Sequence, residues 1–430
     1  MVSEMSDFQW LISGSYHYGK LHLVHKNGPC SPQSKERKTT PSLEEILLQD
    51  ELRVRSIQSR INKSGPLGLG DSKVTIPTKS GLSLGTRDFI VSIGLGTPKQ
   101  DVLVVMDTGS DLTWVRCQPC IDCSAPIFDN SISSSYSSFA CGSIECSQVR
   151  SSTQCTSASG CVYEIHYGDE DFSIGLFGQE TLTLTPSDVF SGFRFGCGQN
   201  NNLSDNTSGI LGLSPRQVSL VSQTANTFGR IFSYCLPSSE SYTGFLAFGD
   251  QAGSTTSSTT VSYTELIIDS SNPDYYYVPL IGISVGGQRL PIDPSVFTTQ
   301  GTIIDSGTVI SRLPPTAYGA LKSAFQQAVL MSNFPPAKPI SHFDTCYDLS
   351  GYETVSVPPI VLHFRGGTDI KVDPLSGALI HLGNAHYCLA FLPNSSDEEL
   401  VIVGNSQQRT FEVIYDLPAQ RLGFAYGACS

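Results

Sequence analysis

The chain has 430 residues, of which only 15% are charged, and it carries 39 Gly and 25 Pro. Its formal net charge of −13, with no basic stripe, excludes a nucleic-acid partner. No apolar run reaches the roughly 20 residues needed to span a bilayer, so we expect no membrane span. The abundance of Gly, Pro, Ser and Thr favours many strands and turns and few long helices.

The N-terminal segment differs in charge from the rest of the chain. Residues 1–84 contain 11 Lys and Arg against 8 Asp and Glu, whereas residues 85–430 contain 15 against 31. Residues 41–61 are predicted to form a helix, because Ser42 and Glu45 have capping-box spacing and an apolar stripe follows a 3.6-residue period. The sequence KSGPLGLGDSK, residues 63–73, is typical of a flexible linker and of a site of proteolytic trimming.

After residue 74 the pattern changes to short β-type runs separated by Gly, Asn and Ser. We predict strands at 88–96, 101–107, 177–185, 193–198 and 275–287, a helix at 316–331, and alternating strands and turns over 400–425. The low-complexity stretch 251–260 is typical of a connection between two folded units. The predicted organisation is an N-terminal segment and linker (1–73), a first lobe with a Cys-rich insertion (74–260) and a second lobe (261–430).

The cysteines indicate the compartment. Cys30 lies in the N-terminal segment, and the other twelve of the 13 lie between Cys117 and Cys429. An even set in a strand-rich chain predicts about six disulfides and therefore an oxidising compartment. Candidate glycosylation sequons begin at Asn62, Asn202, Asn206 and Asn394. The first 20 residues lack the apolar core of a signal peptide, and we expect the signal to be missing from this sequence.

The run CQPCIDC, residues 117–123, has a spacing that also occurs in zinc sites. We favour an insertion stapled by disulfides, with the pairing left open. The eight His residues form no H-E-x-x-H pattern, and no G-x-S-x-G motif stands between a strand and a helix. We therefore expect neither a metal nor a cofactor.

Two similar turns stand 198 residues apart. DTGS begins at Asp107 after the apolar run VLVVM, and DSGT begins at Asp305 after TII. Each is followed downstream by an apolar run ending in Gly, in GILGLS (209–214) and VIVGNS (401–406). A single D-[TS]-G triplet is more often an ordinary β-turn. Two copies in the same context indicate an internal duplication that brings the two Asp together.

Two carboxyl groups that share one proton can hydrolyse a peptide bond. The ionised carboxylate takes a proton from water, and the protonated carboxyl polarises the substrate carbonyl. The neighbouring residue types suit this task, because Gly lets two loops approach closely and hydroxyl groups can brace a carboxylate or bond across to the opposite loop. The supporting residues predicted on this basis are Thr108, Gly109, Ser110, Ser306, Gly307 and Thr308.

With these motifs, residues 85–430 resemble the pepsin-type aspartic endopeptidases, in the plant branch similar to nepenthesins and nucellin. The segments that carry the resemblance are IGLGTPKQDVLVVMDTGSDLTWVRCQPC, YEIHYGDEDFSIG, GILGLS, GTIIDSGTVISRLP, FDTCYDLS and VIVGNSQQRTFEVIYDLPAQRLGFA. The resemblance implies an all-β, bilobal, pepsin-like double β-barrel with few short helices and an active-site cleft between the lobes. It also implies that Asp107 and Asp305 are the catalytic pair.

Further roles follow from the same resemblance. Tyr167, with Gly168 and Asp169, would lie at the tip of a β-hairpin flap, and Trp114 would be its hydrogen-bonding partner. Cys346 and Cys388 would form a disulfide. Relatives usually show Tyr-Gly-Asp-Gly-Ser at the flap, whereas this chain has YGDED, residues 167–171. The acids Glu170 and Asp171 either lower the pH optimum or, in the preferred interpretation, face solvent.

The basic N-terminal segment suggests a zymogen. Lys20, Lys26 and Arg53 would dock onto the acidic body at neutral pH, cover the cleft, and detach in acid. The leading hypothesis is thus a monomeric acid endopeptidase that cleaves proteins and peptides between bulky apolar residues. The expected location is the secretory pathway, ending outside the cell (the apoplast) or in the vacuole, with the plastid left open. The alternative is a catalytically weak or inactive binding or inhibitor protein with the same fold.

Overall fold

The computed structural model describes residues 19–26, 28–32, 43–62, 89–121, 123, 127–149, 160–167, 171–203, 207–239, 241–253 and 260–427. The predicted linker 63–73, Ser42, Gly168, Asp169, Glu170 and Asn206 lie outside these ranges. Within them, no helix is both long and apolar enough to cross a membrane.

Strands dominate the described chain, as predicted. The strands are β1 Lys20–His25, β2 Phe89–Leu95, β3 Gln100–Asp107, β4 Trp114–Ile121, β5 Ser137–Ser138, β6 Val162–His166, β7 Phe172–Thr185, β8 Asp188–Asn201, β9 Gly209–Gly212, β10 Ile231–Cys235, β11 Thr243–Phe248, β12 Ser262–Glu265, β13 Leu280–Val285, β14 Gln288–Arg289, β15 Thr302–Ile304, β16 Ser311–Leu313, β17 Cys346–Asp348, β18 Ile360–Phe364, β19 Thr368–Lys371, β20 Leu379–His381, β21 His386–Leu389, β22 Phe391–Pro393, β23 Val401–Val403, β24 Phe411–Asp416 and β25 Arg421–Tyr426. The α-helices are α1 Leu43–Asn62, α2 Leu220–Gln223, α3 Ala225–Phe228, α4 Ser295–Thr298 and α5 Pro315–Val329. Short 3₁₀ segments occupy Asn130–Ile132, Cys146–Gln148, Gly249–Gln251, Leu330–Ser332 and Asn405–Gln408.

The strand set is duplicated around the two Asp turns. In the first copy β3 runs parallel to β9, β9 is antiparallel to β4, and β4 is parallel to β8. In the second copy β15 runs parallel to β23, β23 is antiparallel to β16, and β16 is parallel to β22. The internal repeat predicted from sequence is therefore a repeat of topology. It places each Asp at the carboxyl end of its strand.

The N-terminal segment is integrated into this framework. Strand β1 lies between β2 and β11 and pairs antiparallel with both. Helix α1 was predicted at 41–61, and the structure confirms it. Its apolar side packs on the C-terminal half, where Val54, Ile57 and Ile61 share a buried cluster with the second-copy strand residues Ile303 and Ile402.

Most predicted elements are present, with one boundary error. The helix predicted at 316–331 is α5, which has Pro315 in its first turn, the position that tolerates proline. The strand predicted at 275–287 is wrong in its first part, because the ladder begins only at Leu280. Tyr277 makes isolated bridges to Ile267 and Ile303 instead. Pro279 has no N–H to continue a ladder.

The structure pairs cysteines from the predicted oxidised set. The disulfides among described residues are Cys117–Cys197, Cys120–Cys123, Cys146–Cys161 and Cys346–Cys388. All three cysteines of the CQPCIDC run are thus disulfide-bonded, so they do not supply the thiolates that a zinc site would need. Cys346–Cys388 is the pairing implied by the family resemblance, and it ties β17 to β21.

Candidate active site

Two turns from the duplicated strands meet at the centre of the molecule. Strand β3 ends at Asp107, and Asp305 follows β15 directly. Both carboxyl side chains are about 99% buried. The surrounding strands are apolar and β-branched, so their ladders fix the position at which each Asp leaves the sheet.

Hydroxyl and amide groups hold each carboxylate in the same way. Ser110 Oγ donates to Asp107 Oδ2 at 2.5 Å, and Thr308 Oγ1 donates to Asp305 Oδ2 at 2.5 Å. The N–H groups of Gly109 and Gly307 point to the respective Oδ1 atoms, at 2.9 and 3.3 Å. In each carboxylate the Oδ2 oxygen is thus held by a hydroxyl and the Oδ1 oxygen by a backbone amide.

The two turns are also locked to each other. The N–H of Thr108 donates to Ser306 Oγ at 3.1 Å, and the N–H of Ser306 donates to Thr108 Oγ1 at 2.9 Å. All of these atoms are buried, where unpaired donors would be costly. We call this reciprocal pair the Thr108–Ser306 interlock.

Glycine is required between the turns. A Cβ on Gly109 would lie 2.8 Å from Asp305 Oδ1, and a Cβ on Gly307 would lie 2.6 Å from Asp107 Oδ1. Both distances are shorter than any ordinary van der Waals contact. Each Gly therefore faces the opposite carboxylate, and close approach is the physical reason for this residue type.

Sequence reasoning missed the residues that support the second turn from below. Gln408 Nε2 donates to the backbone oxygens of Val403 and Asp305, at 2.8 and 3.2 Å. Asn405 Nδ2 donates to the backbone oxygen of Ser306 at 3.0 Å. Both residues lie in the 3₁₀ segment after β23. The sequence feature that could have predicted them is that these polar residues directly follow the repeated apolar-Gly motif.

The predicted hairpin flap is present. Strands β6 and β7 pair up to His166 and Phe172, and the N–H of Tyr167 donates to the backbone oxygen of Asp171 at 2.7 Å. Trp114 Nε1 donates to the Tyr167 hydroxyl at 2.7 Å, which is the predicted contact. Asp171 is only 8% exposed. The interpretation that this acid faces solvent is therefore wrong.

Arg53 of α1 occupies the space between the carboxylates. Its Nη2 lies 2.7 Å from Asp107 Oδ1 and 2.9 Å from Asp305 Oδ1. Nη1 donates to Asp107 Oδ2 and Nε to Asp305 Oδ2, both at 3.0 Å. One guanidinium thus forms a bidentate pair with each of the two acids, a geometry for which its planar fork is suited.

This contact changes the proton affinity of the site. Burial would raise the pKa of Asp107, but the charge of Arg53 and the hydrogen bonds from Arg53, Ser110 and Gly109 outweigh it, and the pKa is lowered. Burial likewise opposes the charge of Arg53, yet the two carboxylates raise the pKa of the guanidinium further above its ordinary value. With Arg53 in place, the ionised form of Asp107 is favoured.

A second ion pair joins α1 to the C-terminal half. Asp50 Oδ1 accepts the N–H of Val309 at 2.5 Å, and Asp50 Oδ2 accepts Arg312 Nη2 at 2.9 Å. Arg312 Nη1 also lies 2.9 Å from Glu51 Oε2. Burial raises the pKa of Asp50 despite the charge of Arg312 and the N–H of Val309. Neither Asp50 nor Arg312 was predicted from sequence.

Other predicted residues lie away from the cleft. Lys20, which was predicted to dock on the acidic body, does contact the body: its Nζ lies 3.8 Å from the ring centre of Phe245. Burial lowers the pKa of Lys20, and the charge of Glu412 partly offsets this lowering. Asn202 is exposed, and its Oδ1 accepts the N–H of Phe172. Asn394 is only 8% exposed, and its Nδ2 donates to the backbone oxygen of Leu400 at 3.0 Å. This burial speaks against Asn394 as a glycan acceptor in the folded chain.

A duplicated β-architecture that supplies one Asp turn from each half is the architecture of the pepsin-like proteins. Solved structures of the same fold include a protein titled edgp (TM-score 0.65, 19% identity, covering 79% of this chain and 92% of that one). Another is basic 7S globulin from soybean (TM-score 0.62, 21% identity, covering 79% of this chain and 93% of that one).

Sequence comparison goes further. Residues 89–250 match the family model described as xylanase inhibitor N-terminal, and residues 275–426 match the one described as xylanase inhibitor C-terminal. An aspartyl protease family protein of Arabidopsis thaliana is 45% identical over 421 residues, covering 95% of this chain and 87% of the relative. Aspartic proteinase nepenthesin-1 of Nepenthes gracilis is 35% identical over 401 residues, covering 90% of this chain and 86% of the relative. The chain therefore belongs to the plant pepsin-like aspartic endopeptidases that include the nepenthesins.

Proposed function

We propose that Asp107 and Asp305 are the carboxyl pair of this endopeptidase, and that the chain is made as a zymogen in which α1 blocks the pair until acid pH releases it. The observation that supports both parts is the position of Arg53. Its Nη2 lies within 2.9 Å of both Oδ1 oxygens, which is the position that a water molecule shared by the two carboxyl groups would need.

Once Arg53 has left, two adjacent carboxylates cannot both stay ionised, and they share one proton. The ionised carboxyl takes a proton from water while the water oxygen attacks the peptide carbon. The protonated carboxyl donates to the carbonyl oxygen, which gives a neutral tetrahedral intermediate. The carboxyl group that took the proton from water then donates it to the amide nitrogen, and the other carboxylate takes a hydroxyl proton from the intermediate. The C–N bond breaks, an acid and an amine are released, and the pair again holds one shared proton. These roles belong to the pair and are not assigned to either Asp separately.

The hairpin of β6 and β7 acts in this proposal as a flap over an extended substrate. The bond from Trp114 to Tyr167 fixes the flap tyrosine above the first Asp turn. A closed flap excludes water and strengthens the electrostatic interactions of the carboxyl pair. The proposed substrates are proteins and peptides, cleaved next to bulky apolar side chains as the family resemblance implies.

The disulfides support maturation in an oxidising compartment, and we propose the secretory pathway with an extracellular or vacuolar destination. Asn202 is the described sequon with an exposed side chain, and it is our candidate for a glycan.

The alternative is a binding or inhibitor protein, and the description of the matching family models is the observation in its favour. The complete hydrogen-bond sets of both Asp turns favour the peptidase. The test is to incubate the full chain with a denatured protein at pH 3.5 and pH 6.5, with and without pepstatin, and to sequence the new N-termini. We expect pepstatin-sensitive cleavage at pH 3.5, together with trimming of the chain between α1 and β2. Absence of pepstatin-sensitive cleavage from a trimmed chain would support the binding protein.

A further inference from the structure

The buried contact between Asp50 and Arg312 joins α1 to the body of the chain. Asp50 stands one helical turn before Arg53 on α1, and its side chain is fully buried. Its carboxylate accepts one hydrogen bond from the backbone N–H of Val309 and one from the Arg312 guanidinium. Val309 directly follows the DSGT turn of Asp305, so this contact lies immediately beside the catalytic pair.

Arg312 depends on α1 for its counter-charges. Its side chain is 4% exposed, and the acids in contact with it among the described residues are Asp50 and Glu51, both from the helix. Its Nε is buried and has no hydrogen-bond partner in the described structure. A buried cation without a partner is strongly unfavourable. When α1 leaves, the guanidinium therefore needs a new anion or water.

The surroundings of the contact are apolar. Next to Asp50, Leu47 of the helix packs into a buried cluster of the C-terminal half, whose members include Ile310, Phe343, Ile380 and Leu392. Departure of α1 would open a concave site with apolar walls, a guanidinium and one free backbone N–H. This combination suits a side chain with a short apolar stem and a terminal carboxylate.

We propose that Arg312 and the Val309 N–H form an acid-selective substrate subsite, and that Asp50 occupies this subsite in the blocked form. The mature enzyme would then favour peptides with Asp or Glu at one position near the cleaved bond. The inference rests on the proposed peptidase function of Asp107 and Asp305, and it specifies which substrates that site accepts.

The subsite gives a distinctive pH dependence. Arg312 attracts only the ionised form of a substrate carboxyl group, whose ordinary pKa is near 4. The preference for Asp over Asn should therefore grow as the pH rises from 3 to 5.5. Since Asn is nearly isosteric with Asp and stays uncharged, the ratio of the two rates isolates the charge interaction.

The experiment uses acid-matured protein made from the full chain, and a peptide series in which each position in turn is Asp, Asn or Ala. We expect one position at which Asp gives a kcat/KM about tenfold higher than Asn at pH 5. A hydrogen bond to a charged group changes a binding equilibrium by about tenfold or more. Arg312→Gln should abolish the preference for Asp over Asn at that position. Arg312→Lys should retain part of it.

The matched control is Arg365→Gln, since Arg365 is exposed and pairs with Glu265 elsewhere on the surface; this variant should keep the full preference. Cleavage of the neutral peptides with no Asp preference at any position at pH 5 would overturn the inference and leave the proposed function intact. Cleavage of no peptide at all would overturn both. These two outcomes are measured on the unmodified enzyme, so they hold even if a variant fails to fold.

Discussion

The guanidinium of Arg53 donates to both carboxylate oxygens of Asp107, at 2.7 and 3.0 Å, although the two residues lie 54 positions apart. It makes the same double contact with Asp305. A substrate cannot reach the carboxyl pair while this contact is intact.

Replacing Arg53 with Ala should give a full-length chain that cleaves a fluorogenic peptide at pH 6.5 at least about tenfold faster than the unmodified chain, because four charge-assisted hydrogen bonds of the block are lost. Arg55→Ala is the matched control on the same helix, since Arg55 is exposed and its ion-pair partner among the described residues is Glu51, one turn earlier on the helix. Equal activity of both variants and the parent would contradict the block.

The pH at which the block is released follows from two opposed shifts. Docking of α1 lowers the pKa of Asp107 below its ordinary value of 3.8. The ionised Asp107 therefore adds to the free energy of docking at higher pH, and this contribution is lost as the pH falls through the lowered pKa. Docking raises the pKa of Asp50, so its contribution has the opposite sign and favours docking in acid. The undocked pair also holds a shared proton, which adds to the effect of Asp107, so we expect docking to weaken as the pH falls and to be lost in acid.

Because docking raises the pKa of Asp50, its neutral form docks more favourably than its ionised form, and the neutral side chain of Asn resembles the protonated carboxyl. The variant Asp50→Asn should therefore dock at least as firmly as the parent at neutral pH and become active at no higher pH than the parent. Activation is followed by peptide cleavage after incubation at a series of pH values. The comparison is Glu51→Gln, which is partly exposed and should shift the activation pH less. An activation pH above that of the parent would count against the assigned signs.

Asp107→Asn and Asp305→Asn should each lower kcat/KM by about a thousandfold or more, because a single ionisable carboxyl cannot supply both the base and the acid. Thermal unfolding should show that both variants remain folded. Asp101→Asn is the control, since Asp101 is exposed and pairs with Lys99 on the surface. Retention of substantial activity in either active-site variant would refute the pair as catalytic.

Gly307→Ala should strongly reduce the activity of the acid-matured enzyme, from which Arg53 has been removed, because the added methyl group would lie 2.6 Å from Asp107 Oδ1 and push the two turns apart. Gly319→Ala is the matched control in α5, where no atom lies within 4 Å of the added carbon. It should keep full activity and gain up to about 1 kcal/mol of stability from the higher helix propensity of alanine. Activity assays and thermal unfolding of both variants measure the difference.

Tyr167→Phe removes the acceptor of the Trp114 indole N–H. The buried donor is then left unpaired and the flap loses its anchor, so we expect kcat/KM to fall about tenfold. Tyr242→Phe is the control, because Tyr242 is 52% exposed. Full activity of Tyr167→Phe would show that the flap does not need this bond.

The sequence predicted the parts of the site that repeat locally. Asp107 and Asp305 carry the same turn after the same kind of strand, so the duplication could be recognised without structure. The bond between Trp114 and Tyr167 was predictable only through the family resemblance, since nothing local joins the two residues. The charge difference between the N-terminal segment and the body suggested docking, but charge alone could not distinguish Lys20 from Arg53, whose guanidinium contacts Asp107 and Asp305.

The unpredicted contacts all join distant parts of the chain. Asp50 meets Arg312 across 262 residues, and Gln408 meets the backbone of Asp305 across 103. Such pairs depend on how the lobes and α1 pack against one another. This packing produces no periodic pattern in the sequence of either segment. The run after Tyr275 was mispredicted for a similar reason, because its apolar pattern suits a strand but tertiary bridges and Pro279 replace the ladder.

The Thr108–Ser306 interlock also limits how the protein can move. Pulling the two turns apart would break both amide-to-hydroxyl bonds in a dry environment, at a cost of about 1–3 kcal/mol for each unpaired group. Rotation about this point keeps both bonds. The interlock therefore acts as a pivot: the halves can rock to widen either end of the cleft for a bulky substrate while the spacing of the two carboxyl groups stays constant.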